Sequence, residues 1–585
     1  MMRSVLAAAL AAIAAPALAA DMAPDTIIVR AAPRTLSAAE RAVPAQIPLA
    51  ERARWRAVMA DLRAQRWDAA GAGARALSPS PLTAFVEAEL LLARGPAAAG
   101  IADPAAWLTA NADLPQAGRI AAKLRAGGFT TLADAPQPRQ LIFVGSERAP
   151  SRSERDLKLE AAVKADTLAD RPEAAEARFR SVPDASPGAR AEWAQKIAWS
   201  YYRAGDDRGA IRMGALAADG PGEAGALGAW VAGLAAWRTD DCATAATQFD
   251  RIATKDAPDD LAAAGAYWAS RAYMACGAPQ NVASRLRAAA TRPTGFYGLL
   301  ARRALGLDAG LDWSEPDFIK ADWNYLQGLP GARRAVALVE VGELGLADRQ
   351  LKHLAGIAEA SRYGAILRLA ARLSLPATQL WLSSRSPDGA RPPLSARFPA
   401  PDWTPPRGWR VDQALVYAHA LQESRFVTDA VSARGARGVM QLMPATGAKV
   451  ASNLGLGGGE LADPAFNIEC GQSYLEELRD MSYTGGLLPK VIAAYNAGPG
   501  SVQKWNAQVR DNGDPLLFIE SIPFKETRAY VEIVLRNYWM YELRDGRNPA
   551  SMTALAQGMW PRFPGMPGAT AIRMPRGGVI ASAAP

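Results

Sequence analysis

The sequence predicts a mostly α-helical chain of several domains. Three observations carry that prediction: alanine-rich stretches with apolar residues at helical spacing, a repeat about one helical hairpin long, and a length too great for one core. Half of the residues are hydrophobic but only 7% are aromatic. Alanine is the strongest helix former, so this balance favours closely packed helices over sheets. At 585 residues, the chain is long enough to need two or three separate cores.

Residues 1–20 read as a secretory signal peptide. Arg3 is followed by an apolar run over residues 5–18 and by Ala17-Leu18-Ala19, a small-residue cleavage pattern. That run is shorter than the ~20 residues that span a bilayer, and no cysteine follows it to carry a lipid. An exported, periplasmic protein, peripheral to a membrane at most, is expected.

Residues 40–308 are expected to form a superhelical helical-repeat domain. Residues 193–205, 227–240 and 265–277 each read as an aromatic-studded helix, followed by a second amphipathic stretch. Their ends, Gly205, Asp240 and Gly277, lie 35 and 37 residues apart, close to the ~34-residue period of tetratricopeptide-like helix pairs. Their tryptophans and tyrosines read as packing between repeats. Phe296-Tyr297-Gly298 marks the end of the repeats, and residues 309–390 continue as a helical linker subdomain. Residues 391–407 are proline-rich and read as an extended connection. A further helical domain follows over 408–547. Residues 551–585, with prolines scattered among Gly and Ala and no periodicity, read as a flexible tail.

Cys242, Cys276 and Cys470 form an odd set and read as small buried residues. Cys242 and Cys276 fall in neighbouring repeats, which leaves a bridge between them open. With only His353 and His419 in the chain, no Cys/His cluster exists to hold zinc, so no metal and no cofactor is implied. The net charge of +8 lies mainly ahead of residue 400. Such a surface attracts polyanions, but in an exported protein the expected partner is the cell wall and not nucleic acid.

The chemistry lies in 408–547. Residues 411–426 read as one helix with Asp412 in its first turn and an apolar stripe of Leu415, Ala418 and Leu421, which puts Glu423 in the last turn. There the negative end of the helix dipole, together with burial, raises a carboxyl's pKa, as a general acid at neutral pH requires. Taken alone, this segment reads rather as a solvated helix end.

Further motifs follow in order: Gln422-Glu423-Ser424; Ser432 and Gly435-Ala436; Gly438-Val439-Met440-Gln441-Leu442-Met443-Pro444; Asp463-Pro464, Asn467-Ile468, Gly471 and Tyr474-Leu475; Ala494-Tyr495-Asn496-Ala497-Gly498; and Glu526-Thr527-Arg528-Ala529-Tyr530-Val531. This set resembles the catalytic domain of the soluble periplasmic lytic murein transglycosylases, a lysozyme-like α domain related to goose-type lysozyme. The helical repeats, the linker and the Phe296-Tyr297-Gly298 element resemble, more loosely, the superhelical and linker domains of that family.

The resemblance implies cleavage of the β-1,4 bond between N-acetylmuramic acid and N-acetylglucosamine of peptidoglycan, with formation of 1,6-anhydro-N-acetylmuramic acid. It makes Glu423 the sole catalytic carboxylate, acid and then base. It places Ser424, Gln441, Met443, Tyr495 and Asn496 along the sugar groove, with Tyr495 the expected hydrogen-bond partner of Glu423. Glu526 is expected near the groove or in a structural pair with Arg528, and Tyr530 is similarly divided between the groove and packing. His419 reads as packed or exposed and not as a second base. Asp429, Glu460, Asp463 and Glu469 match no second catalytic position, unlike the carboxylate pair of ordinary glycosidases. Arg434 and Arg437 make the Gly438 loop basic. Two alternatives stay open: a hydrolytic muramidase and a non-catalytic wall-binding scaffold.

Overall fold

The computed structural model describes residues 43–132, 134–139, 142–143, 153–314, 317–387, 389 and 392–575. The expected leader at 1–20 lies outside them. Among the described residues no helix is long and apolar enough to cross a membrane.

The repeats are helical hairpins. The three aromatic-studded helices are Pro187–Ala204, Gly222–Arg238 and Asp259–Ala275, alternating with Asp207–Ala218, Cys242–Ile252 and Val282–Ala289. Gly205, Asp240 and Gly277 follow the longer helices with φ of 86°, 63° and 68°, the left-handed conformation that stops a helix and turns the chain into the next. Glycine and alanine let neighbouring helices nearly touch: a Cβ on Gly228 would lie 2.4 Å from Ala217 Cβ and 2.8 Å from Gly214 O. That close approach is the structural use of the alanine-rich composition.

The core does not divide in chain order. Helices of residues 52–126 bury Trp55, Phe85 and Leu91 together with Trp323, Leu338, Leu351 and Ile366 of the 318–396 segment. The pairing of Ile142–Phe143 with Arg385–Ser386 ties the same two segments. The superhelix expected over 40–308 is therefore continuous only from Glu154 onward, while its first helices fold back onto the linker subdomain. From Glu154 the repeats share one core with the 408–563 domain. Phe296 stacks on Trp539 at 5.0 Å, and Tyr202 Oη meets Ser521 Oγ at 2.6 Å. Arg271 pairs with Asp514 at 2.6 Å. The Phe296-Tyr297-Gly298 element is thus a docking element. Its glycine is required because a Cβ there would lie 1.8 Å from Arg292 O.

Two expectations are corrected. Cys242 and Cys276 form a disulfide with an S–S distance of 2.03 Å, joining the start of one repeat helix to the end of the next, while Cys470 is free and buried. Removing the bridge with the Cys242→Ser/Cys276→Ser pair is expected to cost about 4 kcal/mol by loop-closure entropy, read as a lower denaturant midpoint for the repeat segment.

The segment after 550 is not wholly a flexible tail. Ala550–Ala556 is helical and Trp560–Pro561 pairs with Ala571–Ile572. Trp560 and Phe563 are buried, held by Trp560 Nε1 donating to Gly513 O at 2.9 Å and Phe563 N to Gly486 O at 2.7 Å. Residues 576–585 lie outside the described residues. The proline-rich connection is irregular apart from a 3-10 turn at Leu394–Arg397. Its carbonyls at Pro399 and Pro401 accept from the Tyr541 and Tyr417 hydroxyls.

Candidate active site

The Gln413–Glu423 helix begins at Asp412, whose carboxylate accepts from Ala414 N at 2.9 Å and is also gripped by Arg547 and by Tyr538 Oη at 3.0 Å. Those groups anchor it to the Lys525–Arg544 helix that packs across it. Residues 413–420 are buried on every side, so the helix is a core strut and not the one-sided amphipathic helix its apolar stripe predicts. It stops at Glu423 and not at 426, because Arg425 and Phe426 take φ of 53° and 63°. That turn sends Phe426 into the core and leaves the carboxyl at the helix C-terminus.

Burial pushes the pKa of Glu423 up to about 7, against the opposing pull of a hydrogen bond from Tyr530 and with a smaller repulsive push from Glu526. The Tyr530 hydroxyl donates to Glu423 Oε1 at 2.6 Å. Burial and the neighbouring carboxylate hold the Tyr530 phenol far above its ordinary pKa, so it remains a donor throughout the working pH range. With Oε1 engaged, Oε2 is the oxygen left to carry the transferable proton.

The Gly438-to-Pro444 segment is a tight loop fixed by other motif residues. Asn467, fully buried, accepts from Met440 N at 2.8 Å and donates to Arg437 O and Leu461 O at 3.1 and 2.9 Å. Tyr495 Oη donates to Met440 O, and Ser424 Oγ to Val439 O, both at 2.8 Å. Gln441, itself at φ 48°, donates to Gly438 O at 2.9 Å and Ala430 O at 3.3 Å. Gly471 leaves the space that the Met440 side chain fills, since a Cβ there would lie 2.1 Å from its sulfur.

The expected residues therefore separate by role. Tyr530, and not Tyr495, is the hydrogen-bond partner of Glu423, because the crossing of the Lys525–Arg544 helix brings position 530 onto the carboxyl. Tyr495 packs beside it, with its ring 4.9 Å from that of His419 and 5.5 Å from that of Tyr474. Ser424 and Gln441 buttress the loop. Met443 is exposed and Asn496 Oδ1 accepts from Thr527 Oγ1 at 2.6 Å. Glu526 is exposed in the first turn of its helix, close enough to Glu423 to raise its pKa.

Of the remaining carboxylates, Glu469 is fully buried and bound to Arg410 at 2.6 Å, Asp463 caps the Pro464–Asp480 helix, and Asp429 pairs with Arg349. One residue gained a role that sequence reasoning did not assign, and His419 took the packed of its two expected places. Asn467 had only its place in a motif as a signal. His419 is fully buried, donates or accepts at Leu415 O at 2.9 Å, and is held neutral by burial, with a pKa lowered to about 4.

Residues 406–518 match the family model of the Transglycosylase SLT domain. The chain is 37% identical over 155 residues to the soluble lytic murein transglycosylase of Escherichia coli K12, covering 26% of this chain and 24% of that one. It is 38% identical over 145 residues to a putative soluble lytic murein transglycosylase of Haemophilus influenzae, covering 24% of each. The matched stretch thus spans about a quarter of the length of these curated relatives. The structure of an inactive mutant of lytic transglycosylase Slt from Pseudomonas aeruginosa aligns with a TM-score of 0.51 and 22% identity over 80% of this chain and 73% of that one. That likeness extends the shared fold upstream into the superhelical repeats. The similarity to these proteins is thus concentrated in the motif-bearing stretch around Glu423, the same residues 406–518 that match the Transglycosylase SLT domain model.

Proposed function

We propose that the protein is a periplasmic lytic transglycosylase of peptidoglycan, cleaving between N-acetylmuramic acid and N-acetylglucosamine with closure of a 1,6-anhydro ring. The observation that carries this reading is the half-buried Glu423 carboxyl, poised at about 7 and hydrogen-bonded on one oxygen by Tyr530. A carboxyl at that pKa is half protonated near neutrality and can give a proton and then take one back.

Glu423 first protonates the glycosidic oxygen between the two sugars, and the bond to C1 of the muramic acid breaks. In this reading the developing positive charge is met by the substrate's own 2-acetamido group, and Asp429, Asp463 and Glu469 are engaged in structural bonds. The Glu423 carboxylate, stabilised by Tyr530, then removes the proton from the C6 hydroxyl of the same sugar as that oxygen attacks C1. No water is consumed and Glu423 ends protonated. In this reading Met443 and Asn496 meet the sugars, while Ser424, Gln441, Asn467 and Tyr495 hold the Gly438-to-Pro444 loop through their hydrogen bonds to its backbone.

The first step needs protonated Glu423, so turnover of purified sacculi should fall as pH rises through about 7. Tyr530→Phe removes a bond that favours the charged form. It should move that alkaline limb to higher pH and lower the maximal rate about tenfold, the scale of one hydrogen bond to a charged group. An unmoved limb would show that the limb does not report Glu423.

A further inference from the structure

A second cavity lies away from the Glu423 groove, in the other core of the protein. It opens where the 52–126 helices pack on the 318–396 segment and has a volume of about 400 Å³, within the range of small-ligand sites. Met59 and Phe85 line it as buried residues, and Trp67 and Leu346 as half-buried ones. Much of its wall is therefore apolar.

Two side-chain amides in that wall hold polar atoms without partners. Gln116 is 7% exposed and Gln350 2%. Gln116 Nε2 donates to the Glu89 carboxylate at 2.9 Å, and Gln350 Oε1 accepts from the Arg334 guanidinium at 3.2 Å. An ionised carboxylate only accepts and a guanidinium only donates, so these partners fix the orientation of both amides. What is left over is Gln116 Oε1 and Gln350 Nε2, and neither has a hydrogen-bond partner among the described residues. A buried polar atom left unpaired carries a desolvation cost, which a ligand bearing the complementary group removes. The bare acceptor comes from one of the two segments that form the cavity and the bare donor from the other. A trans peptide unit offers the matching pair, an N–H and a C=O directed to opposite sides.

The charged groups add a third requirement. Arg63, Arg119 and Arg349 line the cavity against one glutamate, Glu89. Arg63 is paired with Glu343, and Arg349 with Asp429 at 3.3 Å. Arg119 is exposed and, among the described residues, makes no ion pair. It lies three positions after Gln116, on the same side of the Ala117–Ala126 helix. Arg119 is thus the cation left to meet an anion beside the bare amide oxygen.

We propose that this cavity binds the C-terminus of a partner peptide that ends in a large apolar residue. The terminal side chain enters among Met59, Trp67, Phe85 and Leu346. The last peptide unit donates its N–H to Gln116 Oε1 and accepts from Gln350 Nε2, and the terminal carboxylate meets Arg119. The site is a docking point on the first helices and the linker subdomain, and it does not draw on the reaction at Glu423.

The test is calorimetry of the protein with acetyl-Ala-Ala-Phe carrying a free terminal carboxylate. Saturable binding is expected, weakened roughly tenfold when the carboxylate is replaced by an amide and by a similar factor in Arg119→Gln. The unfolding midpoint of Arg119→Gln should be unchanged, because the side chain is exposed. Gln116→Met, which removes the bare acceptor, should weaken the peptide but not 3-phenylpropionate, which carries the ring and the carboxylate without an amide. No binding, or equal binding of the acid and the amide, or of the parent and Arg119→Gln, would overturn the site, whatever the folding of Gln116→Met. Binding of 3-phenylpropionate as tight as that of the peptide would overturn the peptide as its ligand, since the two glutamines would then take no part. Muropeptide release is not read in this experiment, so its result leaves the catalytic reading untouched.

Discussion

Glu423→Gln is expected to lower muropeptide release from sacculi at least about 10³-fold, because one group supplies both the acid and the base step and each is worth roughly 10²–10⁴-fold. The same substitution should stabilise the domain at alkaline pH. The folded-state pKa of Glu423 is raised from 4.5 to about 7. Its contribution favours the folded state below the unfolded value and is lost as pH rises through the folded one. Glutamine does not titrate, so the advantage of the variant should grow between pH 4.5 and about 7 and level off above it. By the size of the shift it should reach about 1–3 kcal/mol, visible as a higher unfolding midpoint at pH 8 than at pH 5 relative to the parent. An inactive variant with no pH-dependent gain would mean that the carboxyl is not buried as described.

Gly438→Ala should have the second-largest effect. Gly438 has φ of +76°, and an added Cβ would lie 2.1 Å from both Asn467 Nδ2 and Leu461 O. The three hydrogen bonds by which Asn467 fixes the loop must then be rearranged, at a cost of about 3 kcal/mol or more. Displacing the loop that faces the substrate should lower turnover about 10²-fold. Gly435→Ala is the control: φ is +86° there but the space is open, so only the backbone cost of about 1–2 kcal/mol should appear. Thermal unfolding and sacculus turnover of the two variants, measured side by side, separate crowding from backbone strain. Equal losses in both would remove the role given to Asn467.

What the sequence made legible follows physical rules. The motifs carry Glu423 because a tight loop, a helix end and a buried asparagine each need particular residue types at particular spacings. The repeat ends were legible because Gly205, Asp240 and Gly277 must turn the chain. Which hydroxyl reaches Glu423 was not: Tyr495 and Tyr530 both follow motifs, and the choice is set by the angle at which one helix crosses another. Trp560 and Phe563 gave no signal either, because strands of two residues have no period and their burial comes from distant carbonyls. The disulfide was open in the sequence because residues one repeat apart are neighbours only if the repeats stack in register. The return of the 52–126 helices onto the 318–396 segment is likewise a long-range packing choice that local periodicity does not encode.

The most direct test of the central claim is mass spectrometry of the muropeptides that the mature protein releases from purified sacculi, run beside Glu423→Gln. The account predicts products lighter by one water than the corresponding reducing muropeptides, formed by the parent and absent with the variant. Reducing ends from the parent would contradict it, since they would show that water, and not the C6 hydroxyl, attacks C1.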